Sequence, residues 1–211
     1  MSAEKILGVV MAGGASRRMG FDKCRLELEG RTLVARSGSV LEPVCDEVVV
    51  SIQPDSAGEY GLFRAIRDRR AHSGPLAGLE STLEEGAVRG RPVFLLACDL
   101  PHVGTDVVRH LLDCARDRGD CAAVVPSIEG RRQPLCALYR ASALAAVSRQ
   151  LESGERSMRA LLDVISVLVV ELSEELPFFR TDLFRNLNRP ADLVGVVHNI
   201  ADGANIAKSR R

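Results

Sequence analysis

Residues 8–28 read GVVMAGGASRRMGFDKCRLEL, from Gly8 to Leu28. The stretch grows out of an apolar run, Ile6-Leu7-Gly8-Val9-Val10-Met11, of the length and type of a buried strand. Ala12-Gly13-Gly14-Ala15-Ser16 follows with nothing bulky in it, so its backbone N–H groups can approach a ligand closely. Arg17, Arg18 and Lys23 come next, around a tight Met19-Gly20 and beside Asp22. A small-residue loop that leaves a strand and is backed by three cations suits a polyphosphate. Turned amides form an anion-binding concavity, and the cations offset the charge that amides cannot. Two familiar phosphate loops are excluded. The span from Gly14 to Gly20 is one residue too long for a Walker A motif, and Phe21 stands where its Lys belongs. The dinucleotide fingerprint G-x-G-x-x-G is absent as well.

Outward from this loop, apolar strands alternate with helical patterns. Thr32 is placed to cap a helix over Leu33 to Leu41, which stops before Pro43. Val48–Ile52 reads as a buried strand and Phe63–Ile66 as a short one that ends at Arg67-Asp68. Pro75 suits the first turn of a helix running through Glu85. Pro92–Cys98 is the second strong strand, ended by Asp99-Leu100-Pro101. Thr105 is expected to cap a helix reaching about Arg118. Strands are expected at Cys121–Val125, Leu135–Tyr139 and Val167–Leu172, helices at Ser142–Leu151 and Met158–Val164, and a last helix after Pro190. This alternation implies right-handed βαβ units and a mostly parallel sheet, an α/β fold of one three-layer domain over residues 1–200, with a flexible tail at 201–211. Ligands of such sheets sit at the carboxyl ends of the strands. The glycine loop and Asp99 both leave such ends and can meet in one crevice.

Composition narrows the function. The 211 residues carry 28 Lys+Arg and 28 Asp+Glu, so no bulk basic field argues for nucleic acid as a partner. No apolar run approaches the roughly 20 residues of a membrane helix, and the N-terminal residues carry no signal-peptide pattern; a cytoplasmic protein is expected. The six cysteines lack C-x-x-C pairs and read as reduced, partly buried thiols. The four histidines show no metal-ligand spacing, so no zinc site is expected, and most of them read as surface or loop residues.

Asp99 is the second anchor of the chemistry. An acid directly behind a buried strand, fixed by Leu100-Pro101, can hold a divalent cation against phosphate. Mg²⁺ takes one or two carboxylates and completes its shell with substrate oxygens and water. The same acid could instead cap the following turn. Lys23 would be a point charge on a triphosphate, or a solvated lysine.

The whole of Met-Ala-Gly-Gly-x-Ser-x-Arg-Met-Gly-x-Asp-Lys-x-x-Leu resembles the LAGGxSxRMGxDK signature of a group of nucleotidyltransferases, with Met11 in place of the usual Leu. That group includes the molybdenum cofactor guanylyltransferases, the molybdopterin cytidylyltransferases and, more distantly, the sugar-phosphate enzymes. Cys98-Asp99-Leu100-Pro101 resembles its C-D-x-P element, and Gly74-Pro75-Leu76-Ala77-Gly78 its GPLAG segment. Gln133-Pro134-Leu135-Cys136-Ala137-Leu138-Tyr139 looks like the QPLxALY segment of the guanylyltransferases. Glu152–Ser157 resembles their x-x-G-x-R, and Asn186–Leu193 their N-x-N-T-P-x-D/E-L, with Arg189 in place of Thr. The resemblance runs from about Gly8 to Leu193 and implies a Rossmann-like nucleotide-diphospho-sugar transferase architecture.

What the resemblance implies about residues is specific. Arg18, Lys23 and Asp99 are expected to act in the reaction, with Mg²⁺ on Asp99. Met11, Ala12, Gly13, Gly14, Lys23, Ser51, Asp68 and Asp99 are expected to bind the nucleotide. Ser51 stands where Asn is often found, and Asp68 would accept from a guanine edge or a ribose hydroxyl; its alternative is an exposed aspartate among Arg67, Arg69 and Arg70. Gln133, Arg156, Asn186 and Asn188 are candidates for holding the pterin. The implied reaction is GMP transfer from GTP to molybdopterin by a monomer, and molybdoenzymes or other cofactor-biosynthesis proteins would be its partners. Alternatives are a CTP-using enzyme, another nucleotidyltransferase, or a non-catalytic carrier of the cofactor.

Overall fold

A computed structural model describes residues 4–12, 23–56, 60 and 63–187, with Lys23 described by its backbone alone. In chain order the elements are β1 (Leu7–Met11), β2 (Glu27–Leu28), β3 (Arg31–Thr32), α1 (Leu33–Leu41), β4 (Glu47–Ile52), β5 (Arg64–Arg67), α2 (Pro75–Val88), β6 (Val93–Ala97), α3 (Thr105–Ala115), β7 (Ala123–Ile128), β8 (Arg131–Arg132), β9 (Cys136–Tyr139), α4 (Leu144–Glu152), α5 (Met158–Leu162) and β10 (Val167–Glu171).

The main sheet has the order β10-β7-β9-β6-β1-β4-β5, with β8 hairpinned onto β7. Its centre, β1, pairs in parallel with β4 on one side and β6 on the other. All five β1 residues are buried, as a strand covered on both faces requires. Successive side chains take opposite faces. Val10 packs into a core with Leu33, Leu41, Val107 and Leu111 of α1 and α3. Leu7, Val9 and Met11 pack into a second core with Leu76, Leu79, Leu83, Val147 and Leu161 of α2, α4 and α5. Helix layers therefore cover both faces of the sheet, and the expected three-layer α/β fold holds.

One local reading needs correction, the Thr105 cap, and three features go beyond the sequence reading. The strand at β9 runs antiparallel to both β6 and β7. The few residues between β7 and β9 form a β-hairpin with β8 and a short turn, too little chain for a crossover helix. Thr105 does not cap α3. It is the first helical residue, and its hydroxyl donates to the carbonyl of Val40 in α1 at 2.9 Å, while Gly104 takes the cap position. Thr32 does cap α1, accepting from the Ala35 amide at 3.2 Å. His102 lies in the turn after β6, but its side chain is 1% exposed and lies 3.6 Å from Asp182. The ribbon β2–β3, closed by Glu29 and Gly30 at positive φ, was not foreseen. The helix expected after Pro190 and the tail at 201–211 lie outside the described residues.

Candidate active site

The strands β1, β4, β5 and β6 all point their carboxyl ends to one edge of the sheet. Beyond the regular ladders that edge is laced together. The Ala12 amide donates to the Ser51 carbonyl at 3.0 Å, the Cys98 amide to the Met11 carbonyl at 3.4 Å, and the Asp68 amide to the Ile52 carbonyl at 2.8 Å. Met11, Ala12, Ser51, Asp68 and Asp99 are thus set in one row by backbone geometry alone.

Within that row Ser51 and Asp68 touch. The Ser51 hydroxyl donates to Oδ1 of Asp68 at 2.7 Å, and Gln53 Nε2 donates to Oδ2 at 2.9 Å. Asp68 is only 2% exposed, which removes its reading as a surface aspartate among arginines. Those arginines turn away, Arg70 to Glu80 of α2 at 2.9 Å, Arg69 to Glu84 of α2, and Arg67 to the carbonyls of Pro54 and Ser56. Burial penalises the charged form and pushes the Asp68 carboxyl up to about 6, against a smaller downward pull from the Ser51 hydroxyl. The first turn of α2 closes over this pair. A Cβ on Gly78 would overlap both Ser51 Oγ and Met11 Cε, so the second glycine of GPLAG is there to let the helix approach.

A second group of predicted residues meets in a cleft of about 310 Å³. Its lining includes Asp99, Gln133, Pro134, Arg159 and Asn186. The cleft is built by backbone contacts. Leu187 donates its amide to the Asp99 carbonyl at 2.9 Å, which brings Asn186 to the end of β6. The Ala97 amide donates to the Leu135 carbonyl at 2.8 Å, and the buried Tyr139 hydroxyl donates to the Pro134 carbonyl at 2.8 Å, fixing the turn that carries Gln133. Arg132 reaches Asp163 at 2.6 Å and so is turned toward the segment after α5.

The remaining predicted residues are placed differently. Arg156 does not line this cleft; its guanidinium donates to the carbonyl of His72 at 2.9 Å. Gly13, Gly14, Arg18 and Asn188 lie outside the described residues, as does the Lys23 side chain. Sequence reasoning missed Gln53, although its spacing of two from Ser51 places both on one face of β4 and its extension. It also missed Arg159, for which no motif gave a signal.

The donor set suits magnesium. Among the described residues no three His, Cys, Asp or Glu side chains gather into a preformed metal cage. A half-buried carboxylate lining a cleft, as Asp99 does, is what Mg²⁺ uses when phosphate oxygens and water supply the rest.

Residues 8–171 match the family described as MobA-like NTP transferase domain. The chain is 36% identical over 200 residues to a probable molybdenum cofactor guanylyltransferase of Opitutus terrae, covering 90% of this chain and 94% of that protein. It is 33% identical over 195 residues to a protein of the same description from Mycobacterium avium, covering 90% and 93%. Among solved structures it superposes with TM-score 0.75 on molybdopterin-guanine dinucleotide biosynthesis protein A of Archaeoglobus fulgidus, at 25% identity, over 93% of this chain and 99% of that one. The fold is shared with 2-C-methyl-D-erythritol 4-phosphate cytidylyltransferase of Thermus thermophilus, TM-score 0.64 at 17% identity, over 92% and 98%.

Proposed function

The chain belongs to the MobA-like NTP transferase domain family, and from that membership we propose that it transfers GMP from GTP to molybdopterin, releasing pyrophosphate and forming molybdopterin guanine dinucleotide. The observation that carries this reading is the cleft where Asp99, Gln133 and Asn186 meet, on the same sheet edge as the buried Ser51–Asp68 pair. One end of that edge suits a nucleoside and the other an acceptor, with the acid between them.

In the reaction an oxygen of the acceptor's terminal phosphate attacks the α-phosphorus of GTP, and the bond from that phosphorus to the bridging oxygen of pyrophosphate breaks. The attacking oxygen is already anionic near neutral pH, so no strong general base is needed. What the protein must supply is alignment of two anions and charge stabilisation on the leaving side. Asp99 would hold Mg²⁺, which neutralises phosphate charge when bound. Lys23, Arg18 and the Gly13 and Gly14 amides would stabilise the leaving pyrophosphate. Met11 and Ala12 would shape the nucleoside wall, and Asp68 would accept from the guanine edge or the ribose. Gln133, Asn186 and Asn188 would hold the pterin at the cleft, and Arg156 would meet it from the His72 turn. The reaction is placed in the cytoplasm, with GTP and molybdopterin as substrates.

Pyrophosphate release with Mg²⁺ and molybdopterin, compared for GTP, CTP and ATP and with Asp99→Ala as control, tests the reading. GTP-selective release that the variant loses is the expected result. CTP selectivity would move the protein to the cytidylyltransferases. Binding of GTP with no release from any nucleotide would make it a carrier.

A further inference from the structure

Four hydrogen bonds form one unbroken chain from Ser51 to Arg156. Ser51 Oγ donates to Asp68 Oδ1, and Gln53 Nε2 donates to Asp68 Oδ2. Gln53 Oε1 then accepts from the His72 amide at 3.0 Å, and the His72 carbonyl accepts from Arg156 at 2.9 Å. The orientation of the Gln53 amide follows from its partners. A carboxylate oxygen can only accept and a backbone N–H can only donate, so a flipped amide would lose both bonds. His72 sits at φ 53, a left-handed conformation that a non-glycine residue keeps only where its surroundings hold it. Here it is held on both sides, by Gln53 on its amide and Arg156 on its carbonyl.

We propose that Gln53 is a positioning residue that couples the two substrate subsites, by tying the Asp68 carboxylate to the His72 turn and so to Arg156. This rests on the reading of Asp68 as nucleotide-facing and Arg156 as acceptor-facing. A nucleotide that orders Asp68 fixes the Gln53 amide, which fixes the His72 peptide and the carbonyl that aims Arg156. By linkage, an acceptor that orders Arg156 tightens nucleotide binding by the same factor. Neither substrate needs to touch Gln53.

The test is a binding cycle with the full chain. The probe is the α,β-methylene analogue of GTP with Mg²⁺, whose P–C–P bridge blocks transfer, titrated by calorimetry with and without molybdopterin. In the wild-type protein molybdopterin should tighten the analogue at least roughly 5-fold, the lower end of typical coupling. Gln53→Met keeps the side-chain length but neither donates nor accepts, and its factor should fall to about one. Gln53→Glu supplies a chemical check. It keeps the arm to His72 but sets a second carboxylate against Asp68, so coupling should be lost at pH 8 and partly recover relative to wild type at pH 6.5, where the two acids can share a proton. The other titratable and charged groups near Asp68, among the described residues, include Arg67, Arg69 with Glu84, Arg70 with Glu80 and Glu152, and His72 with Asp55. All are common to variant and wild type and cancel in the ratio. Should Gln53→Met fail to fold, the two pH values of Gln53→Glu decide the matter alone. A factor of one in the wild type, or an undiminished factor in Gln53→Met, overturns the coupling while leaving the proposed function standing. An analogue that does not bind the wild-type protein at all overturns both.

Discussion

The sulfurs of Cys24 and Cys98 lie 3.2 Å apart in the buried core, and Cys24 also donates to the carbonyl of Ala12 at 3.0 Å. One thiol directly follows Lys23 and the other directly precedes Asp99. The contact therefore sets the distance between the chain segments that carry the two groups expected to act on phosphate. Cys24→Val removes the donor and adds bulk against Cys98, and should cost about 1–3 kcal/mol by overpacking. Cys24→Ser keeps a donor for Ala12 and should stay within about 1.5 kcal/mol of wild type. Urea midpoints at unchanged m-value read this directly. A Val variant as stable as wild type would mean that the contact is slack.

Asp68 gives the protein a pH-dependent stability of unusual sign. Its carboxyl titrates near 6 in the fold and at 3.8 when unperturbed. Between those values the folded protein holds a proton that the unfolded chain has released, so stability falls as pH rises through this window and is level above it. The contribution is on the order of 3 kcal/mol. Asp68→Asn carries no such charge and should lack the slope. Its stability relative to wild type should climb between pH 4.5 and 6.5 in urea titrations. A difference that is flat across that range would return Asp68 to the ordinary carboxylate range.

Much of this architecture is legible in the chain because its strongest signals are local. β1 and β6 are continuous apolar runs, and the three-layer α/β reading follows from their alternation with helical patterns. The direction of β9 could have been read from the short connection after Ile128, which leaves no room for a crossover. Thr105 was misread because a residue suited to capping can also spend its hydroxyl on a neighbouring helix, a tertiary choice that no local pattern encodes. The burial of Asp68 was hidden for a similar reason. Its flanking arginines suggest solvent, but Arg69 and Arg70 are drawn away by acids of α2, at Glu84 and Glu80, and Arg67 by the carbonyls of Pro54 and Ser56. Asp99 and Gln133 were individually legible, but their meeting in one cleft depends on the antiparallel placement of β9.

Gly78 lies inside α2, where replacing glycine by alanine ordinarily stabilises by up to about 1 kcal/mol. Here the added methyl would overlap Ser51 Oγ and Met11 Cε. Gly78→Ala should instead destabilise by about 1–3 kcal/mol and displace the Ser51 hydroxyl from Asp68. GTP affinity should fall with it, measured by calorimetry on folded protein. A variant with raised thermal midpoint and unchanged affinity would show that α2 can withdraw at no cost.

Lys23→Ala removes the charge expected on the leaving pyrophosphate. By analogy with other charge-stabilising donors the turnover number should drop on the order of 10²–10³-fold. Because the lysine is asked to act mainly as charge develops, the KM for GTP should change much less. Near-normal turnover would remove Lys23 from the reaction.

Tyr139 is fully buried, and its phenol reaches across the strand end to the carbonyl of Pro134 at 2.8 Å. Burial drives its hydroxyl pKa well above the usual phenol value, so it stays a donor at any working pH. Tyr139→Phe deletes the donor, leaves the ring in place, and removes the partner of the half-buried Pro134 carbonyl. The expected loss is about 1–3 kcal/mol. The functional consequence is directional. Pro134 follows Gln133, which faces the Asp99 cleft, while Ser51 and Asp68 belong to the other end of the edge. The variant should therefore raise the KM for molybdopterin several-fold and leave that for GTP near wild type. An equal rise in both would mean that the hydroxyl supports the sheet edge as a whole and not the turn that carries Gln133.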